Sequence, residues 1–171
     1  MVREVDAKEI MGIQGKVDKH YGDVMDIINK IIEPYCRDLD KYVAFIRGVL
    51  ADGESQPTDD ELDDFVLNLS TQIYFASGMC EQLGIKDDIS KAIYKEVYNR
   101  VRSEQTGGTV ADKDSIAELF SQQEQLTNVC YNRAYKMLKA KIEAAQELLS
   151  SCKKVLSRRM AELELSRMTR Q

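Results

Sequence analysis

Apolar residues recur at helical spacing along most of the chain, and no stretch alternates in the way that a half-buried strand requires. The longest row begins at Ile116, and thirteen steps cover its 47 residues, so its period is near 3.6 residues, the repeat of a straight α-helix. Neither glycine nor proline follows Gly108. The pattern therefore predicts one very long C-terminal helix over residues 110–171. The row is apolar except for Gln123 and consists of Ile116, Leu119, Gln123, Leu126, Cys130, Ala134, Leu138, Ile142, Ala145, Leu149, Cys152, Leu156, Met160 and Leu163.

The two prolines and the remaining glycines divide the rest of the chain. Pro34 interrupts an apolar helical pattern, which predicts two helices, or one kinked helix, over 16–33 and 35–51. After a loop at 51–57, Thr58 and Glu61 form a capping-box pattern that opens a helix ending at Gly84. A further helix is expected from Asp87 or Asp88 to the residues before Gly107, giving two central helices in 58–104.

These elements predict a single all-α domain over 1–171, a helical bundle of shorter helices with one very long C-terminal helix. A helix of about 50 residues is roughly 75 Å long, and the shorter helices cannot cover all of its apolar row. An uncovered apolar row of that length promotes association. The chain is therefore expected to form a homo-oligomer.

Charge is unevenly distributed along the chain, whose net charge is −5. Residues 129–171 contain 10 lysines and arginines and 4 acidic residues, and the rest of the chain is strongly acidic. Such a basic end can bind a polyanion or the acidic part of another copy, or it can simply be a solvated helix face. The four cysteines form no CxxC pair, and no segment reads as a signal peptide or membrane span, so a reduced cytoplasmic protein is expected.

Few residues offer catalytic or metal-binding chemistry. His20 stands alone, and Gly107-Gly108 is too short for a phosphate-binding loop. The acidic cluster at 59–64 lacks the spacing of a calcium-binding loop and suits the start of a helix instead. We therefore expect a protein that is not an enzyme and that has no cofactor and no metal site.

The basic end offers the better candidate for function. Its cations lie at helical spacing and are accompanied by Tyr131 and Tyr135, a combination typical of sequence-independent binding to single-stranded DNA. Long helices also carry such cations for solubility and salt bridges, and tyrosines often cover the edge of a core. The candidate DNA contacts are Lys153, Lys154, Arg158 and Arg159, followed by Lys136, Lys139 and Lys141.

Three stretches of the chain resemble the UvsY family of phage recombination mediators. They are YKEVYNRVR at 94–102, TVADKDSIAEL at 109–119 and KIEAAQELLSSCKKVLSRRMAELELSRM at 141–168. The resemblance implies a non-enzymatic protein that assembles into a closed oligomer and binds single-stranded DNA. It also implies that the protein helps a RecA-type recombinase to displace single-strand binding protein, in the host cytoplasm if the protein is viral.

Two other functions remain open. The chain could be a helical structural or assembly protein that self-associates without binding nucleic acid. It could also be the small subunit of a DNA-packaging enzyme, a class that carries a helix-turn-helix, for which LGIKDDISKAIYKEV at 83–97 is the nearest candidate.

Overall fold

The computed structural model describes the backbone of residues 7–51 and 56–168, and the side chains of residues 14–51 and 56–168. These residues form four α-helices and no strand, which confirms the all-α prediction. The helices are α1 (Ala7–Ala51), α2 (Asp59–Glu104), α3 (Val110–Phe120) and α4 (Gln122–Met168). Of the predicted loop at 51–57, residues 52–55 lie outside the described residues, as do residues 169–171 of the predicted C-terminal helix.

Of the two alternatives predicted at Pro34, two separate helices are wrong, because α1 is one helix that contains Pro34 in its interior and begins at Ala7, not at residue 16. Pro34 itself is exposed, while Ile32 before it and Cys36 after it are both buried. Continuous burial on both sides favours helix across a residue that lacks one backbone donor. A local breaker is thus outweighed by tertiary packing.

The prediction of two central helices is also wrong, because α2 continues through Gly84. Gly84 is not a C-cap. A Cβ atom at this position would lie 3.3 Å from a ring carbon of Tyr135, so the missing side chain lets α4 approach α2 closely. The same continuity leaves no turn inside residues 83–97, and the candidate helix-turn-helix is not formed there.

The single helix predicted over 110–171 is interrupted at Ser121, which separates α3 from α4. Ser121 is fully buried, and its hydroxyl donates to the carbonyl oxygen of Ala117 at 2.7 Å. Serine readily forms such bonds to the preceding turn, which compete with regular helix geometry. At 47 residues α4 is only one residue longer than α2, and α1 has 45 residues, so the described part of the chain contains three long helices of similar length.

Capping boxes begin two of the helices. The Thr58 N–H donates to Glu61 at 2.7 Å and the Glu61 N–H donates back to the Thr58 hydroxyl, as the sequence predicts. Thr109 and Asp112 repeat the arrangement at the start of α3, after Gly108 in a left-handed turn (φ 87°). The backbone and hydroxyl hydrogen bonds from Thr58 hold the pKa of Glu61 below its ordinary value, and those from Thr109 do the same for Asp112.

The chain divides into two compact units. Unit 1 contains the described residues up to Glu33 together with Lys86–Ala134, and unit 2 contains Pro34–Ile85 together with the described residues from Tyr135 onward. In unit 1, Asp114 of α3 accepts a hydrogen bond from Tyr98 of α2 at 3.1 Å and pairs with Arg102 at 2.6 Å. In unit 2, α1, α2 and α4 supply the core residues Leu39, Ile46, Leu62, Phe65, Leu69, Leu83, Leu138, Ile142 and Ala145.

The long apolar row is only partly buried. In α4 its members from Cys130 to Cys152 include six buried residues, whereas Leu119 and Leu126 before them and Met160 and Leu163 after them are exposed. The apolar period of the sequence therefore extends beyond the part of the helix that other described residues bury.

All four cysteine side chains are buried, and none of them forms a disulfide. Burial raises the pKa of the Cys80, Cys130 and Cys152 thiols. Each of these three therefore behaves as a small apolar side chain within its unit.

Candidate nucleic-acid interface

All seven predicted DNA contacts lie on α4 within unit 2, but their surroundings differ. Lys136, Lys139, Lys153 and Lys154 are exposed, and they make no ion pair or side-chain hydrogen bond with any described residue. From Lys136 to Lys154 the helix advances roughly 27 Å, at about 1.5 Å per residue. These four lysines therefore leave their charges available along one stretch of helix.

Lys141 is engaged within unit 2. Its ammonium group lies 2.7 Å from each carboxylate oxygen of Asp40 on α1, and both residues are partly buried. The Cys36 thiol also donates to this carboxylate at 3.1 Å. Of the predicted contacts, Lys141 thus joins α1 to α4 instead of standing free at the surface.

Arg159 is engaged as well, and it binds the chain just before and at the start of α2. One terminal nitrogen donates to the carbonyl oxygen of Pro57 at 2.6 Å and to Asp59 at 3.0 Å, and the other donates to Gln56 at 3.2 Å. The Arg159 side chain is only 21% exposed. A planar guanidinium suits this arrangement because it presents several donors in a fixed geometry.

Arg158 is in a different position, with 71% of its side chain exposed. Its closest acidic neighbour is Glu162, one turn along the same helix, with an Nε–Oε1 distance of 3.7 Å. That distance exceeds a hydrogen bond, and an exposed pair of this kind contributes little stability. Arg158 can therefore exchange this neighbour for an external anion at small cost.

A cavity of about 410 Å³ in unit 2 brings both arginines together with apolar side chains. The end of α1, the start of α2 and α4 all contribute to its lining. The lining residues are Leu50, Gln56, Pro57, Leu62, Leu148, Ser151, Cys152, Val155, Arg158 and Arg159. The sequence predicts the arginines but not the cavity, because one side of its apolar wall, Leu50, Pro57 and Leu62, comes from residues about 100 positions away in the chain.

The two tyrosines that accompany the cations are not free stacking surfaces. Tyr135 is half-buried, and its ring packs beside Gly84. Tyr131 is also half-buried and belongs to unit 1, where it lines a separate cavity with Ile89 and Ile93 of α2. Aromatic stacking on these residues, as expected from the sequence, could therefore use only part of each ring.

Unit 1 contains a polar cluster that sequence reasoning missed. The Asn132 side-chain amide donates to one carboxylate oxygen of Asp87 at 2.8 Å, and that of Asn128 donates to the other at 3.2 Å. Asn128 also donates to the hydroxyl of Ser90, which is buried. Asn128 and Asn132 are four residues apart and therefore lie on one face of α4, and this spacing is the one feature of the sequence that indicates a shared polar partner.

The described residues contain no group of three or more potential ligands that could hold a metal ion. Within the same residues, no helix is long and apolar enough to span a membrane. Comparison with known proteins finds no matching family model, curated protein or solved structure.

Proposed function

We propose that the protein is a non-enzymatic, homo-oligomeric single-stranded DNA-binding protein that acts as a recombination mediator. One observation carries this proposal: Lys136, Lys139, Lys153 and Lys154 lie exposed along α4 without acidic partners among the described residues. Phosphates bind such cations without regard to base sequence, and binding releases counterions. The mediator role, with a RecA-type recombinase and single-strand binding protein as partners, is supported by the resemblance of residues 94–102, 109–119 and 141–168 alone.

Repetition of this surface in an oligomer would strengthen weak phosphate contacts, because each further contact on the same strand forms at high effective concentration. Arg159 and Lys141 are better regarded as stabilising unit 2 than as phosphate ligands, since both already bind acidic side chains. A test of DNA binding should leave these two residues unchanged.

The decisive experiment changes Lys136, Lys139, Lys153 and Lys154 to glutamine and measures binding to oligothymidine at several salt concentrations. Glutamine preserves helix propensity, so the fold should be retained. Affinity should fall, and the slope of log affinity against log salt should flatten by about 0.7 for each phosphate that a lysine no longer neutralises.

A matched control changes four exposed lysines of unit 1, Lys19, Lys30, Lys91 and Lys95, to glutamine. Its net charge equals that of the test variant, so a purely nonspecific charge effect would weaken binding equally in both. Equal losses, or a wild-type protein that ignores oligothymidine at low salt, would contradict the proposed DNA surface.

A second function is favoured by a specific observation at the end of α4. Met160, Leu163, Leu165 and Met168 are all exposed, the last to 73%, so apolar surface continues where no other described residue covers it. A helical assembly protein that self-associates without nucleic acid accounts for this surface. Light scattering of wild type and Leu163→Glu tests self-association, with Leu67→Glu, another exposed leucine, as the control.

A further inference from the structure

The cavity in unit 2 combines an apolar surface, which suits a base, with positive charge, which suits a phosphate. Most of its wall is apolar, formed by Leu50, Leu62, Leu148, Val155 and neighbouring residues. Its volume of about 410 Å³ lies within the range of small-ligand sites, roughly 300–1,000 Å³. The size and chemistry therefore suit a flat, weakly polar group, while the arginines supply positive charge at the same place.

The two arginines of this cavity have distinct roles. Arg159 donates to Pro57, Gln56 and Asp59. Its charge is therefore already paired with a carboxylate, and its hydrogen bonds hold one wall of the cavity in position. Arg158 is largely exposed and has only the 3.7 Å contact with Glu162. Arg158 is consequently the group that can bind a phosphate, and Arg159 is a positioning residue.

The cavity lies next to two of the exposed lysines along α4. Lys154 precedes Arg158 by four residues, about one helical turn, and Lys153 lies beside it. A strand whose phosphates contact these lysines reaches the mouth of the cavity at the next turn. Ser151 and Gln56 at the cavity add polar groups that can meet the edge of a base.

We propose that this cavity binds one base of single-stranded DNA, with Arg158 binding an adjacent phosphate. The inference rests on the proposed DNA-binding function and deepens it. Burial of a base against leucine, valine and proline side chains contributes free energy that depends little on salt. The protein therefore distinguishes a strand that carries bases from a bare sugar-phosphate chain.

The experiment compares oligothymidine with an abasic oligonucleotide of the same length and phosphate number, using the full chain at the same series of salt concentrations. Wild type should bind oligothymidine about fivefold more tightly, as expected for burying a modest apolar area of the base. Val155→Phe fills the cavity and should abolish this preference while leaving the salt slope unchanged. Val129→Phe, at an exposed valine of the same helix outside the cavity, should retain it.

Ser151→Phe provides a second filling variant from an exposed position, in case the half-buried Val155 does not tolerate phenylalanine. Loss of the base preference in either folded variant, with the control unchanged, supports the proposal. Retention of the preference in every filling variant that folds places the base elsewhere and overturns the proposal.

Three further outcomes are informative. Equal wild-type affinity for the two oligonucleotides overturns base binding and leaves the DNA-binding function intact. Binding to neither overturns both. Free dTMP should compete only weakly because it lacks the neighbouring phosphates, and if it matched the oligonucleotide in affinity the ligand would be a free nucleotide and not a strand.

Discussion

In each unit, polar side chains of α4 contact another helix, α2 in unit 1 and both α1 and α2 in unit 2. The chemistry of these contacts differs between the units. In unit 1 the neutral amides of Asn128 and Asn132 donate to Asp87. In unit 2 the cations Lys141 and Arg159 bind acidic residues. Amide contacts involve no opposite charge and respond little to salt, whereas ion pairs weaken as salt rises. Among the contacts that α4 makes, those in the unit that carries the candidate DNA surface therefore depend more on salt, whereas the ion pair of unit 1, Arg102–Asp114, joins α2 to α3.

This difference matters for function because phosphates are neutralised by cations, and a cation that already binds a carboxylate has little charge left to offer. The ion pairs remove Lys141 and Arg159 from the DNA-binding surface and leave the exposed lysines and Arg158 for it. The sequence shows only that all seven residues are basic. The acidic partners in unit 2 distinguish the two engaged residues from the five that remain exposed.

The largest expected effect is in unit 1, from Asp87→Ala. The free energy of unfolding should fall by about 2–3 kcal/mol, because the amides of Asn128 and Asn132 lose a charged acceptor in a partly buried place. Urea unfolding at low and high salt should give similar losses. Asp88→Ala, at the exposed neighbouring position, should change stability by less than about 0.5 kcal/mol. A loss that disappeared in high salt would remove the contrast between the units.

An intermediate effect is expected in unit 2, from Arg159→Gln. Loss of the bonds to Pro57, Gln56 and Asp59 should lower the free energy of unfolding by about 1 kcal/mol at low salt. At 1 M salt, where the screening length is about 3 Å, the loss should be smaller. Arg158→Gln is the control and should have almost no effect on stability. Equal losses in the two arginine variants would show that Arg159 does not hold the start of α2.

The smallest effect concerns the capping boxes, where the two units should behave alike. Because folding lowers the pKa of Glu61 and Asp112, each contributes stability above its ordinary pKa, near 4, and this contribution is lost as pH falls through the lowered folded value. Carbon-13 NMR titration of the side-chain carboxyls measures both pKa values directly. Thr58→Val and Thr109→Val should each raise the neighbouring pKa part of the way back, since the backbone donor remains. Ordinary pKa values in wild type would contradict the capping geometry.

The sequence predicts helix content and the capped starts of α2 and α3 well, because these depend on local features, but it places the start of α1 nine residues late and expects a start at Asp87 or Asp88 that is not formed. The apolar period indicated helices throughout, and Thr58 with Glu61 marked the start of α2 correctly. Helix ends were predicted poorly. Pro34 and Gly84 look like breakers locally, but burial of residues on either side maintains both helices. Ser121 lies in a segment without any breaker, and its buried hydroxyl bond to Ala117 depends on tertiary packing.

The candidate site shows the same limit. The basic residues of α4 are visible in the sequence, yet which of them stay exposed depends on Asp40 and Asp59, each about 100 residues away. The cavity beside Arg158 is likewise built from distant segments. A single sequence contains no local signal for such pairings.

The four buried thiols make the two units separately observable in solution. Cys130 belongs to unit 1, whereas Cys36, Cys80 and Cys152 belong to unit 2. A thiol-reactive reagent can modify a buried cysteine only when the surrounding helices open, because in the folded protein burial blocks access and also raises the thiol pKa of Cys80, Cys130 and Cys152. The order in which an alkylating reagent labels these positions therefore records which half of the protein opens first, without any introduced cysteine.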